Sequence, residues 1–247
     1  MPGVLRVRDI PASGGPRWLA EAFRLFRRAP GTWIGLSCGW MAIWLGLMLV
    51  PVVGNVAGSM MQPAFYAGFA LAAWKQLSGE TLQMPDLFLG FRTRLKPLLQ
   101  LGALLFAMEL GVVYLMRAVG FPDLVDANGE LLRATEFVEA MRGKEWIFFA
   151  GCGLLALLKG ALWFAPALLA FHDLSVGGAI RWSVYAALSN IGALLLYGLA
   201  LVAIFFAALL PWGLGLFVAV PVMLASTYAG YRDVFEEGTP APEFTPA

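Results

Sequence analysis

Six runs of this chain are each long and apolar enough to cross a lipid bilayer, and they constrain the fold more than any other feature. A transmembrane helix needs about 20 mainly apolar residues. Such runs lie at 32–50, 56–74, 97–116, 148–171, 191–210 and 213–231. Backbone polar groups inside lipid must be satisfied within the segment itself, so each run is expected as a helix. Composition points the same way: 60% of the 247 residues are hydrophobic, 13% are charged, and the mean hydropathy is +0.75. Soluble domains run nearer about 45–50% apolar and about 25% charged. Too few polar side chains remain to cover a surface in water. The expected fold is all-α, a polytopic membrane protein forming a single integral membrane domain.

The turns at 51–55 (PVVGN) and 211–213 are short and uncharged. Spans one and two, and spans five and six, are therefore expected as tight antiparallel hairpins, with spans three and four as a third pair. Lys and Arg set the orientation. Twelve of them flank one side, including Arg6, Arg8, Lys75, Arg92, Lys96 and Arg232. Only Arg117, Arg133, Arg142 and Lys144 flank the other, offset there by six acidic residues. This bias predicts that both termini are cytoplasmic, with a loop on the far side of the membrane (periplasmic, if the membrane is a bacterial inner membrane) at 118–145 and a cytoplasmic tail at 233–247. The opening MPGVLRVRDIPASGGPRW has no signal-peptide core, so the first span is expected to act as the membrane signal. The outer loop holds DANGELLRATEFVEAM, which fails as a calcium loop. With Asn128 and Gly129 at its fifth and sixth positions, Leu124 and Thr135 would fall where acidic oxygens are needed. A turn at Asn128-Gly129 leading into a short amphipathic helix is the simpler reading.

Three segments, 16–28, 84–99 and 174–190, each precede a pair of spans and read as cytoplasmic interfacial amphipathic helices. In the first, Arg17, Glu21, Arg24 and Arg28 recur on one helical face, while Trp18, Ala22, Leu25 and Phe26 lie on another. It is expected at the inner headgroup level, with Arg17, Arg24, Arg27 and Arg28 in contact with anionic lipid. The second span of each pair carries proline with alanine four residues later: Pro63 and Ala67, Pro166 and Ala170, Pro221 and Ala225. Two of them continue as YAGF (66–69) and YAGY (228–231). The pattern predicts three pseudo-repeats, 16–75, 84–172 and 174–232, related about an axis along the membrane normal.

The stretch FAPALLAFHDLSVGGAIRWSVYAALSN and its continuation to residue 235, with the opening WLAEAFRLFRRAPGTWIGL at 18–36, resembles an uncharacterised family of proteobacterial inner-membrane proteins. It is distantly similar to the membrane domain of some glycerophosphodiester phosphodiesterases. The likeness covers most of the chain and is weakest over span three and the outer loop. It implies a six-helix inner-membrane protein and carries over neither an activity nor a catalytic residue.

One lysine interrupts the apolar run GLLALLKGALWFAPALL. Lys159 lies twelve residues from position 171, and Glu109 twelve residues from position 97. Each is then roughly 18 Å from the cytoplasmic end of its span. A central charge costs about 2.5–3.5 kcal/mol on insertion scales, so the two are expected to pair. Two roles stay open for that pair: a registry pin with Gly160 allowing close helix approach, or a functional ionisable pair. His172 and Asp173 form a second candidate at the cytoplasmic interface, as a proton-active pair or a polar anchor.

Cys38 and Cys152 sit in apolar runs and read as buried thiols. One histidine and no CxxC leave no expected metal site and no cofactor. GxSxG, HExxH, Walker A and dinucleotide glycine patterns do not occur. Trp18, Trp74, Trp146 and Trp212 fall at span ends as an aromatic belt, and nothing suggests nucleic acid. The chain is expected to be non-enzymatic, a scaffold or accessory subunit contacting membrane lipids, a membrane-protein partner or another copy of itself. The alternative is a small transporter or lipid-handling protein using an inter-repeat crevice with Glu109 and Lys159.

Overall fold

The computed structural model describes residues 5–50, 52–123 and 133–235. The Asn128-Gly129 turn and residues 236–247 of the expected tail lie outside them. Every regular element among the described residues is helical: α1 (Gly14–Arg28), α2 (Pro30–Met48), α3 (Val53–Leu77), a 3-10 turn (Met84–Phe88), α4 (Leu89–Thr93), α5 (Leu95–Ala118), α6 (Ala134–Met141), α7 (Glu145–Ala161), α8 (Ala165–Phe171), α9 (Val176–Ser189), α10 (Ile191–Leu209) and α11 (Leu216–Phe235). Four stretches are long and apolar enough to cross a membrane: Pro30–Met48, Leu95–Ala118, Glu145–Phe171 and Ile191–Leu209. Helices α3 and α11, read above as spans two and six, fall short on hydropathy. Both are largely buried against other helices. A helix shielded by protein can carry small and polar residues that lipid would penalise.

Two compact units result: residues 1–103 with 161–247, and residues 104–160. At the heart of the first, α3, α8 and α11 pack on one another. These are the helices with the proline–alanine pairs, and Pro63, Ala67, Pro166, Ala170, Pro221 and Ala225 are all buried. Around this trio, α1 packs on α10 and α11, the 3-10 turn and α4 pack on α3, and α9 packs on α8. Glycine permits the closest approach. A methyl group on Gly90 of α4 would collide with the Ala64 carbonyl of α3, and one on Gly15 of α1 with the Ala193 carbonyl of α10.

Proline placement explains two breaks. The segment 84–99 is not one amphipathic helix but a 3-10 turn, α4 and the start of α5. The ring of Pro97 would clash with the carbonyl of residue 93 if α4 ran on, so the chain kinks at Arg94. Likewise Pro166 has no amide to offer the carbonyl of residue 162, and the run 148–171 divides there into α7 and α8, whereas α3 and α11 run on through Pro63 and Pro221. Ser183 of α9 fills that gap: its hydroxyl donates to the Ala161 carbonyl at 2.8 Å and accepts from the Phe164 amide at 3.2 Å.

In the second unit, α5 from residue 104 onward and α7 bury Leu105, Val112 and Ile147. The glycine at their contact is Gly151, against the Met116 side chain, whereas Gly160 has open space beside it. Gly160 therefore does not provide the close helix approach expected of it. Cys38 and Cys152 are free but exposed rather than buried. An apolar run that faces lipid leaves its side chains outside the protein, so hydrophobicity alone does not bury a thiol.

Candidate functional site

The first helix gathers several long-range polar contacts in the larger unit. Its apolar residues, Trp18, Leu19, Ala22, Leu25 and Phe26, are buried against protein, not left to lipid. Trp18, counted above in an aromatic belt, is 1% exposed. It stacks on Trp163 at 5.6 Å, and its indole donates to Asp233 at 2.8 Å. Nearby, Trp33 donates to Gln76 at 3.0 Å, and Gln76 donates to the Leu25 carbonyl at 3.2 Å, capping the end of α1. The segment before α1 is held by Asn190, which accepts from the Ile10 amide at 2.6 Å and donates to the Arg8 carbonyl at 3.0 Å. So α1 is a docked element, fixed at both ends.

Its charged residues remain outside. Arg17, Arg24, Arg27 and Arg28 are exposed. Glu21 accepts from Arg232 of α11 at 2.7 Å and stands 3.9 Å from Arg24. On this side a recess of about 190 Å³ is lined by Glu21, Arg24, Leu25, Arg28, Leu77, Ala229 and Arg232. The opposite side of α1 is apolar. There Pro16, Leu19, Ala20 and Phe23 roof a cleft of about 520 Å³ walled by α10 and α11. Ala200, Ile204, Ala208, Gly215 and Val222 line it deeper down. Pro16, Ala20 and Phe23 follow helical spacing, and Arg27 is the next residue on the same stripe.

His172 and Asp173 do not pair with each other. The His172 ring lies 2.7 Å from the Tyr231 hydroxyl, and Asp173 forms an ion pair with Arg94 at 2.8 Å. Arg94 also donates to the His172 carbonyl at 2.6 Å. Residue 172 ends α8 in extended geometry, which turns consecutive side chains apart. Burial holds the imidazole below its ordinary pKa of 6.5, as desolvation disfavours the charged ring.

Glu109 and Lys159 come together within the smaller unit, 2.6 Å apart, with Lys159 44% and Glu109 25% exposed by side chain. The pair is thus open on one side and is not buried by protein. Among the described residues no three of His, Cys, Asp and Glu converge where a metal ion could sit. Sequence reading missed the partners of α1. Glu21 and Arg232 are 211 positions apart, as are no residues a helical pattern can connect.

A helical membrane protein is the class these features define, with four helical stretches among the described residues long and apolar enough to cross a bilayer. The chain is similar to a probable inner membrane protein of Burkholderia thailandensis, 28% identical over 238 residues that cover 91% of this chain and 84% of the relative. No family model and no solved structure matches the chain.

Proposed function

We propose that this is a multi-pass inner-membrane protein that works without chemistry of its own, as a scaffold or accessory subunit holding phospholipid at the cytoplasmic leaflet. In this reading α3 and α11 complete six crossings with cytoplasmic termini, in three hairpins, each preceded by a cytoplasmic helical element. The docking pattern supports the repeats. Each preceding element packs on the second helix of another pair: α1 on α11, α4 on α3, α9 on α8. The rule is cyclic, as three parallel repeats about one axis require.

The observation that carries the lipid role is the apolar cleft under α1. Its walls are almost wholly alkyl and aromatic, and the stripe of α1 that roofs it runs on, beyond the cleft, to the exposed Arg27. An acyl chain fits such walls, and an anionic headgroup suits a roof bearing exposed arginines. Purification in mild detergent, followed by native mass spectrometry, should recover copies carrying bound phospholipid. Ala200→Trp and Ala219→Trp, which fill the cleft, should remove it. Lipid retention unchanged by both substitutions would sink the reading.

A second reading, transport or lipid handling at Glu109 and Lys159, is favoured by that pair being open on one side. It demands water or substrate access to both groups. Protection of a Lys159→Cys thiol from aqueous reagents, in a background lacking the natural cysteines, would count against it.

A further inference from the structure

The recess on the charged side of α1 has a composition the lipid reading does not require. Three guanidinium groups, Arg24, Arg28 and Arg232, surround one carboxylate, Glu21, a net +2 within about 190 Å³. Leu25, Leu77 and Ala229 supply the rest of the lining, and none of these offers a side-chain acceptor. Glu21 is already engaged by Arg232 at 2.7 Å and lies 3.9 Å from Arg24. The guanidinium groups therefore present more donors than the one carboxylate can accept.

Helix ends do not account for the surplus. Arg27 and Arg28 occupy the last turn of α1 and Arg232 the last turn of α11, where carbonyl dipoles favour a cation. That explains why arginine is stable there. It does not explain why Arg24 and Arg28 of one helix and Arg232 of another share a single recess. Like charges held together repel unless an anion sits between them. Arginine's planar fork suits a tetrahedral oxyanion, which it can bind through two parallel hydrogen bonds.

We propose that this recess is a phosphate-binding site, with Arg24, Arg28 and Arg232 as donors and Glu21 as an internal competitor. Glu21 occupies the position an entering phosphate oxygen would take beside Arg232. Binding then shifts Arg232 from carboxylate to phosphate. The ligand class is a phosphate ester, carried either by an anionic phospholipid headgroup or by a soluble molecule. The lipid source rests on the function proposed above; the soluble source does not.

The experiment uses the full chain in a neutral detergent and in nanodiscs. Binding of inorganic pyrophosphate is measured in detergent, and retention of phosphatidylglycerol against phosphatidylcholine in nanodiscs. Each arginine near a charged surface is worth about fivefold in anion affinity. Arg24→Gln with Arg28→Gln should therefore weaken the bound anion by about tenfold or more. Arg92→Gln, exposed and outside both the recess and the cleft, should change it less than twofold. Glu21→Gln removes the competitor and should tighten binding about threefold, an effect that an unfolded variant cannot produce. Pyrophosphate binding with these responses, without selective lipid retention, supports a soluble phosphate ester and excludes the anionic headgroup as the recess's ligand. Selective retention that falls equally with Arg92→Gln and with Arg28→Gln means diffuse attraction, which overturns the recess and spares the lipid role. No binding of either probe, or no gain with Glu21→Gln, also overturns the recess.

Discussion

Glu109 and Lys159 stand 2.6 Å apart with one side open. Removing Lys159 takes from Glu109 the cation it meets at 2.6 Å, and removing Glu109 takes that carboxylate from Lys159. Lys159→Met or Glu109→Gln alone should lower stability by about 1–3 kcal/mol. The double substitution should regain most of it, because two neutral groups carry no desolvation penalty. Thermal melting in detergent across the full cycle measures the coupling, and additive losses would mean the contact contributes nothing. His172 makes a second residue-level prediction, outside the spans. Its folded pKa lies below the unfolded value of 6.5, so the unfolded chain binds the proton more readily. The neutral ring's contribution is complete above about pH 6.5 and is lost as pH falls toward the folded pKa. Tyr231 faces the ring at 2.7 Å, while Arg94 is held by Asp173, so among the described residues no carboxylate bonded to the ring opposes this trend. Melting temperature should fall more between pH 7.5 and pH 5 in the native chain than in His172→Gln. Equal slopes would count against it.

Among the elements, glycine contacts and proline breaks decide how helices meet. Gly90 and Gly15 lie where an added methyl would strike a neighbouring backbone carbonyl, and backbone cannot turn aside as a side chain can. Gly90→Ala and Gly15→Ala should each destabilise by about 1–3 kcal/mol, the usual cost of overpacking. Gly198 sits inside α10 with open space around it. Gly198→Ala should instead stabilise by about 0.5–1 kcal/mol through helix propensity. Detergent melts of the three variants test the contrast, and a neutral Gly90→Ala would show that α4 is not tightly seated on α3. The same logic locates the hydroxyl of Ser183. It replaces helix bonds lost at the Pro166 break, so Ser183→Ala leaves the Phe164 amide and the Ala161 carbonyl without that partner.

For the whole molecule, the arginine and lysine bias predicts a periplasmic 118–145 segment. Both natural cysteines are exposed, so labelling needs a background in which Cys38 and Cys152 are serine. There a cysteine at Asn128 should react with an impermeant reagent applied from outside, and one at Ser78 should not; the reverse pattern would invert the topology. The all-helical nature of the chain and its lipid solvent were legible in the sequence, because burying a bare backbone in hydrocarbon leaves helix as the local solution. The helical faces of α1 were legible too, since 3.6-residue periodicity is a local property. The pairing of Glu109 with Lys159 could be read from depth alone, two opposite charges at matched distances along adjacent runs. What covers each face could not be read. Trp18 and the apolar stripe of α1 meet α11 and Trp163, not headgroups, and Cys38 and Cys152 face outward. Lipid and protein interior are equally apolar, so hydrophobicity cannot say which of them a side chain meets. Only the tertiary structure decided that, and with it the separation of His172 from Asp173 and the gathering of Arg24, Arg28 and Arg232. Those contacts join residues far apart in the chain, and no local periodicity encodes which distant helix end will arrive beside them.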